Sequence, residues 1–251
     1  MTQLLHPVHQ RELPVLFQRA MVRAILAGTK TQTRREVRWR GLAPGLNLGF
    51  TGLVVDRYEG ANCRPEWLLM SRRGDGAWED RSGLTPCPYG QAGDRLWVRE
   101  EHYRFGHWEP VPDVKTKGGR MKWQFVADTP DFLFEPPEAF RKGRHHRDPA
   151  TPAWHKRLAR FMPRAACRIL LEVSAVRVER LQSISEADAI AEGIERDTGE
   201  GWMDYLAPEL CGFGFPIASY ASLWKSINGE GSWDANPWVW AVDFWRVKPC
   251  R

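Results

Sequence analysis

The apolar and polar positions along the chain settle into a pattern of short strands with few helices. "LPVLFQ" (13–18) is a compact apolar run that predicts a strand. "RAMVRAILAG" (19–28) repeats its apolar residues at helical spacing and ends in glycine, the residue that closes helices. "KTQTRREV" then reads as extended, because Thr31, Thr33 and Val37 favour β structure and polar residues alternate with them. "GLAPGLNLGFTG" is turn-like. "GLVVDRY" and "EWLLMSR" predict a strand pair, and the Gly-, Asp- and Pro-rich residues 72–93 predict a loop.

Further along, "DRLWVREEHYRF" (94–105) alternates as a strand after a Gly-Asp turn. Residues 106–122 are polar and broken by Gly and Pro, and "WQFVAD" (123–128) is the next strand. Residues 129–160 are rich in Pro, Arg, Lys and His without a period, which predicts a long insertion. "RAACRILLEVSAVRVERL" (164–181) carries the strongest β signal. "SISEADAIAEGI" (183–194) places Ser185 three residues before Asp188, a capped helix start. A second helix is expected over 215–229, with Ile217, Tyr220, Leu223, Trp224 and Ile227 on one face, and "PWVWAVDFWRV" (237–247) is a closing strand.

This order predicts an α+β, mainly β protein. A closed β-barrel flanked by helices fits it better than a parallel βαβ sheet. With no internal repeat and no dividing linker, a single domain over residues 1–251 is expected, with insertions at about 36–92 and 101–163.

Composition narrows the partners. The formal charge is +5, with a sequence pI near 9.1, which favours anionic partners, nucleic acid first. No apolar run approaches the roughly 20 residues of a membrane span, and the N-terminus lacks a secretory apolar region, so a cytoplasmic protein off the membrane is expected. The five cysteines are scattered and never form C-x-x-C, so neither a disulfide framework nor a metal site is expected. "RHHR" and "WHKR" have no suitably spaced carboxylate or cysteine to complete a metal site, and no cofactor motif stands out. Of the thirteen tryptophans, Trp97, Trp224, Trp238 and Trp240 read as core. Trp39, Trp154 and Trp233 sit among basic or polar residues, where an indole can act as a platform for a base.

Four stretches together resemble the ASCH domain of the PUA-like β-barrel superfamily: "ILAGTKTQTRR" (25–35), "GDRLWVRE" (93–100), "ILLEVSAVRVERLQSISEADAIAEGI" (169–194) and "WVWAVDFWRV" (238–247). The whole chain also resembles phage and prophage ASCH proteins carrying "CPYGQ-GD-LWVRE" and "GSWDANPWVW" stretches. The resemblance covers about half the chain, and the two insertions depart from compact family members. It implies nucleic-acid or nucleoside chemistry, since the family includes N4-acetylcytidine amidohydrolases and a ribonuclease. In the amidohydrolases a lysine and a threonine of the first motif and a helix glutamate do the work. Carried over, these fall on Lys30, Thr33 and Glu192.

The residues can be weighed without the family. A threonine hydroxyl needs a base to become a nucleophile, and a lysine serves as base only with a lowered pKa. Glu192 could orient the lysine or carry a proton to the leaving amine. In an extended segment Lys30 and Thr33 nominally face opposite sides, so a turn or bulge is required to unite them. The plainer reading makes Lys30 a complement to a helix C-terminus, Thr33 a strand residue and Glu192 an exposed helix residue. Arg34 and Arg35, with Arg144 and Arg147 in "RKGRHHR", suit phosphate contacts, and Trp39 and Trp154 suit base stacking. Two readings follow: an enzyme removing an acyl group from N4-acylated cytidine or a related base, and a non-catalytic reader of modified or single-stranded nucleic acid. A ribonuclease is a third, with no acidic cluster to support it. The sequence does not speak to oligomeric state.

Overall fold

The structure is a computed structural model and describes residues 10–60, 64–197, 199, 201–210 and 212–247. Three of the five cysteines (63, 211 and 250) lie outside the described residues. The chain is mainly β with a few helices, as the pattern of apolar residues predicts. It divides into two compact units, one of Met1–Leu13, Arg23–Leu96 and Ile169–Arg251, the other of Pro14–Val22 and Trp97–Arg168. The insertion expected at 101–163 falls in the second unit, and the one at 36–92 stays within the first.

The principal sheet has five strands: β1 (Glu12–Leu16), β2 (Gln32–Glu36), β7 (Arg95–Arg99), β11 (Leu170–Arg180) and β12 (Trp238–Val247), in the order β1-β7-β11-β12-β2. The unit boundaries fall within β1, within the helix Arg19–Ala27, within β7 and between Arg168 and Ile169. A second sheet within the first unit joins β3 (Val54–Glu59), β4 (Pro65–Arg72), β5 (Trp78–Asp80) and β6 (Thr85–Pro86). The second unit has its own sheet of β8 (His102–Lys115), β9 (Met121–Ala127) and β10 (Ala153–Arg157), with β8 central. Among the described residues none of these sheets closes on itself. The principal sheet keeps β1 and β2 as edges.

Two elements depart from the sequence pattern. The strand expected over 94–105 divides into β7 and β8, and β8 then runs on to Lys115 through residues whose Gly and Pro suggest a loop. Cross-strand pairing with β9 outweighs local preference there, at the cost of a register irregularity between Pro110 and Lys115 and a positive φ at Asp113. Within the loop expected over 72–93, β5 and β6 pair with β4.

Elsewhere local chemistry sets the elements. Helix α1 (Arg19–Ala27) stops at Gly28, whose φ of 81° lets Thr29 and Lys30 donate backbone N–H bonds back to the Ala24 carbonyl. Helix α2 (Glu186–Ala191) begins at Ser185, whose hydroxyl accepts the Asp188 N–H at 3.1 Å. Its apolar side joins α3 (Pro216–Asn228) around Leu181, Ile184, Ala189, Ile194, Tyr220 and Trp224. Because α2 is only six residues long, its cap carries much of its order. Ser185→Ala is expected to lower stability by about 1 kcal/mol, measured as a fall in the urea midpoint with an unchanged m-value.

The registers fix which side chains share a face of the principal sheet. Gln32 opposes Asp243 and Arg34 opposes Ala241 on β12, while Arg177 opposes Ala241 and Glu179 opposes Val239 from β11. Strand alternation therefore gathers Gln32, Arg34, Arg177, Glu179 and Asp243 on one face. Thr33, beside Val242, and Arg35, beside Trp240, lie on the other.

Candidate functional site

The charged face of the sheet meets the C-terminal end of α2. Directly after the Gly28 turn, Lys30 pairs with Glu192 in an antiparallel bridge, and Thr31 donates its N–H to the Ala191 carbonyl at 2.9 Å. Glu192 is the C-cap of α2, and Gly193 follows at φ 80°. A Cβ on Gly193 would lie 2.7 Å from Lys30 Cβ and 3.0 Å from Ala24 Cβ. Glycine is thus needed there for both conformation and space.

This approach leaves the Lys30 side chain with no solvent exposure. Its ammonium donates to the Glu192 carboxylate at 2.7 Å, the Glu192 carbonyl at 2.7 Å and the Gln32 carbonyl at 2.8 Å. Three acceptors thus meet three N–H donors. Glu192 also receives the Tyr220 hydroxyl at 3.5 Å and lies 3.6 Å from Arg34 Nη1. Arg34, itself buried, donates to Glu179 at 2.5 Å, to Asp188 at 3.1 Å and to the Gln32 side-chain oxygen. Gln32 in turn donates to Asp188 at 2.9 Å and Asp243 at 2.5 Å, and Arg177 caps Asp243 at the rim. Three cations and four carboxylates thus form one connected network.

Burial is the main reason the Lys30 pKa lies below its ordinary value. Glu192 opposes the shift, and Arg35 and Arg34 add to it. Arg34 is opposed by burial, but Glu192, Tyr220 and Glu179 together hold its pKa above the usual value. Burial and then the Glu192 charge push the Tyr220 phenol well above its ordinary pKa. Burial also works against the Asp188 carboxylate, yet the bonds from Gln32 and Ser185 and the charge of Arg34 keep it below the usual range.

No family model, curated protein or solved structure matches this chain.

Of the residues singled out from the sequence, Lys30, Glu192 and Arg34 come together, although Glu192 is 162 positions from Lys30. Thr33 is buried on the opposite face of β2, so the turn after Gly28 brings Lys30 to Glu192 without bringing Thr33 along. Arg35 shares that opposite face. Trp39, expected as an exposed base platform, is a core residue at 8% exposure. The apolar pattern around it, with buried Val37 two residues earlier, holds the indole inside despite its basic neighbours. Trp233 is half-buried and packs edge-on against Tyr220 at 6.2 Å.

The remaining candidates belong to the second unit. Arg144 and Arg147 are exposed, and the Arg144 guanidinium lies 4.3 Å above the Trp123 ring. Trp154 is half-buried and packs edge-on against Phe105 at 5.6 Å. Sequence reasoning passed over Gln32, Arg177, Glu179, Asp188, Tyr220 and Asp243. The one signal for them was the charge alternation of "VRVER" in β11, which places Arg177 and Glu179 on one face two residues apart.

Proposed function

We propose that this chain is an ASCH-type, PUA-like protein directed at nucleic acid or a modified nucleoside, and that it removes an acyl group from N4-acylated cytidine or a related base. The observation that carries the reading is the buried Lys30–Glu192 pair. The resemblance named these two residues, and they meet at 2.7 Å. In the proposed reaction Lys30 loses a proton to become the base, a step its burial favours. Glu192 orients the amine and passes the proton towards the leaving amine. Arg34 adds positive charge 3.6 Å from the Glu192 carboxylate.

Thr33 enters this proposal as the nucleophile that the family resemblance implies. Its position across β2 makes Thr33→Val the informative variant. Loss of turnover assigns the nucleophile to the hydroxyl, whereas retained turnover assigns it to water. The experiment is incubation of the full chain with N4-acylated cytidines, free and within oligonucleotides, followed by mass analysis. The expected result is loss of the acyl mass from at least one member. A chain inert towards all of them overturns the catalytic reading.

One observation favours binding without turnover. All three Lys30 N–H donors already have protein acceptors, so the amine is held as a structural ammonium until one contact opens. In that reading the exposed arginines of the second unit grip the strand. Binding of single-stranded oligonucleotide then falls with added salt, with a log–log slope of about −0.7 per phosphate contacted.

A further inference from the structure

Two neighbouring cavities in the first unit lie outside the Lys30–Glu192 network and share Pro65 and Gln91 as walls. The larger, about 320 Å³, is lined by Arg11, Arg40, Arg64, Glu66, Cys87 and Gln91 among others. Its volume lies at the small end of ligand pockets. We infer that it is a binding site for a phosphomonoester, with a nucleoside 5′-monophosphate as the fitting ligand class.

The argument begins with Asp94. Its carboxylate is 1% exposed, accepts the backbone N–H of Arg11 at 2.9 Å and of Gln91 at 3.1 Å, and takes both terminal nitrogens of Arg64 at 2.7 and 3.4 Å. Arg11 Nη2 reaches it at 3.5 Å. One buried carboxylate thus fixes two guanidinium groups at the cavity wall before any ligand arrives, which reduces the cost of ordering them on binding. Arg40 is exposed, and among the described residues its guanidinium has no side-chain or backbone acceptor. Three guanidinium groups thus face two carboxylates, Asp94 and Glu66, leaving positive charge for an anion. Guanidinium forks match phosphate oxygens in geometry as well as sign.

Gln91 supplies the second feature. Among the described residues its side-chain oxygen is buried without a hydrogen-bond partner, and the residue lines both cavities. An unpaired buried acceptor is costly, and a ligand N–H or O–H donor would satisfy it. The second cavity, about 290 Å³, continues past Gln91 to Trp67 and to Arg57, whose guanidinium stands 6.0 Å from the Trp67 ring. It gives the body of a phosphorylated ligand a place beyond its phosphate. Cys87 is not a nucleophile here, since burial pushes its thiol pKa up to about 12.

This inference rests on the nucleic-acid reading only in choosing a nucleotide among phosphomonoesters, and not on the chemistry of Lys30. The test is calorimetric titration of the full chain with cytidine 5′-monophosphate, ribose 5-phosphate and cytidine. Both phosphate esters are expected to bind saturably while cytidine does not. Arg40→Gln, at an exposed position, is expected to leave the melting temperature unchanged and to weaken both esters about tenfold. Gln91→Leu should weaken the cytidine ester. Equal affinity for the two esters would leave the phosphate site standing while removing support for a nucleotide. Comparing 5′-phosphorylated with 5′-hydroxyl oligonucleotides separates strand ends from free nucleotides as the source of the phosphate. Absence of saturable ester binding, or affinity untouched by Arg40→Gln, overturns the site.

Discussion

Lys30→Met is expected to destabilise the protein by about 3–5 kcal/mol, because it strands a buried carboxylate. The variant removes the ammonium from the Glu192 carboxylate and leaves the Glu192 and Gln32 carbonyls without those bonds. Among the described residues, Arg34 at 3.6 Å and the Tyr220 hydroxyl at 3.5 Å are the remaining polar side-chain partners of Glu192. Neither is close enough to replace a 2.7 Å ionic hydrogen bond. Removing both partners, as Lys30→Met with Glu192→Leu, is expected to cost clearly less than the sum of the single variants. Denaturant unfolding of all three checks this, and additive losses would show that the two residues act independently.

The same pair predicts a pH dependence. Lys30 titrates lower in the folded chain than its ordinary 10.5, with burial as the largest cause. Between the two values the unfolded chain holds the proton that the folded chain has released, so stability rises with pH through that interval. Wild type should therefore gain on Lys30→Met as pH climbs towards 10.5, since the other groups are common to both proteins.

Gly193→Ala is the second large effect, at about 2–5 kcal/mol. Left-handed backbone at an L-residue contributes about 1–2 kcal/mol, and forcing a methyl into filled space contributes about 1–3 kcal/mol. The methyl would collide with Lys30 Cβ at 2.7 Å, so relief requires Lys30 to move off Glu192. Gly28→Ala is the control. Its φ of 81° is nearly the same, but a Cβ there meets nothing within 4 Å, so only the conformational cost remains, about 1–2 kcal/mol. Equal losses at the two glycines would contradict the close approach of α2 to Lys30.

These residues also show what a one-dimensional reading captures. Gly28, the Ser185 cap and the apolar stripes of α2 and α3 depend on neighbours within a turn or two, and they appear where local chemistry puts them. The Lys30–Glu192 encounter spans 162 positions and was legible only through resemblance to a family motif. Strand alternation alone warned that Thr33 faces away from Lys30, and the register of β2 on β12 keeps it there. Trp39 was misread because its flanking arginines suggested a surface, whereas neighbouring strands decide burial. Asp94 was read as part of a turn. Its partners Arg11 and Arg64 lie 83 and 30 residues away, so no local pattern announces it as a hub. The length of β8 was hidden for the same reason, since its pairing partners supply what its Gly and Pro residues lack.

The proposed function assigns hydrolysis of a nucleobase amide to the Lys30–Glu192 pair. The most direct measurement is kcat and KM on N4-acetylcytidine for the wild type and for Glu192→Gln, with circular dichroism showing that the variant is folded at the assay temperature. The account predicts measurable release of acetate by the wild type. It also predicts a fall in kcat of about 100-fold or more in Glu192→Gln with little change in KM, the mark of a lost proton-transfer group. A folded Glu192→Gln protein that turns over N4-acetylcytidine at the wild-type rate would contradict it.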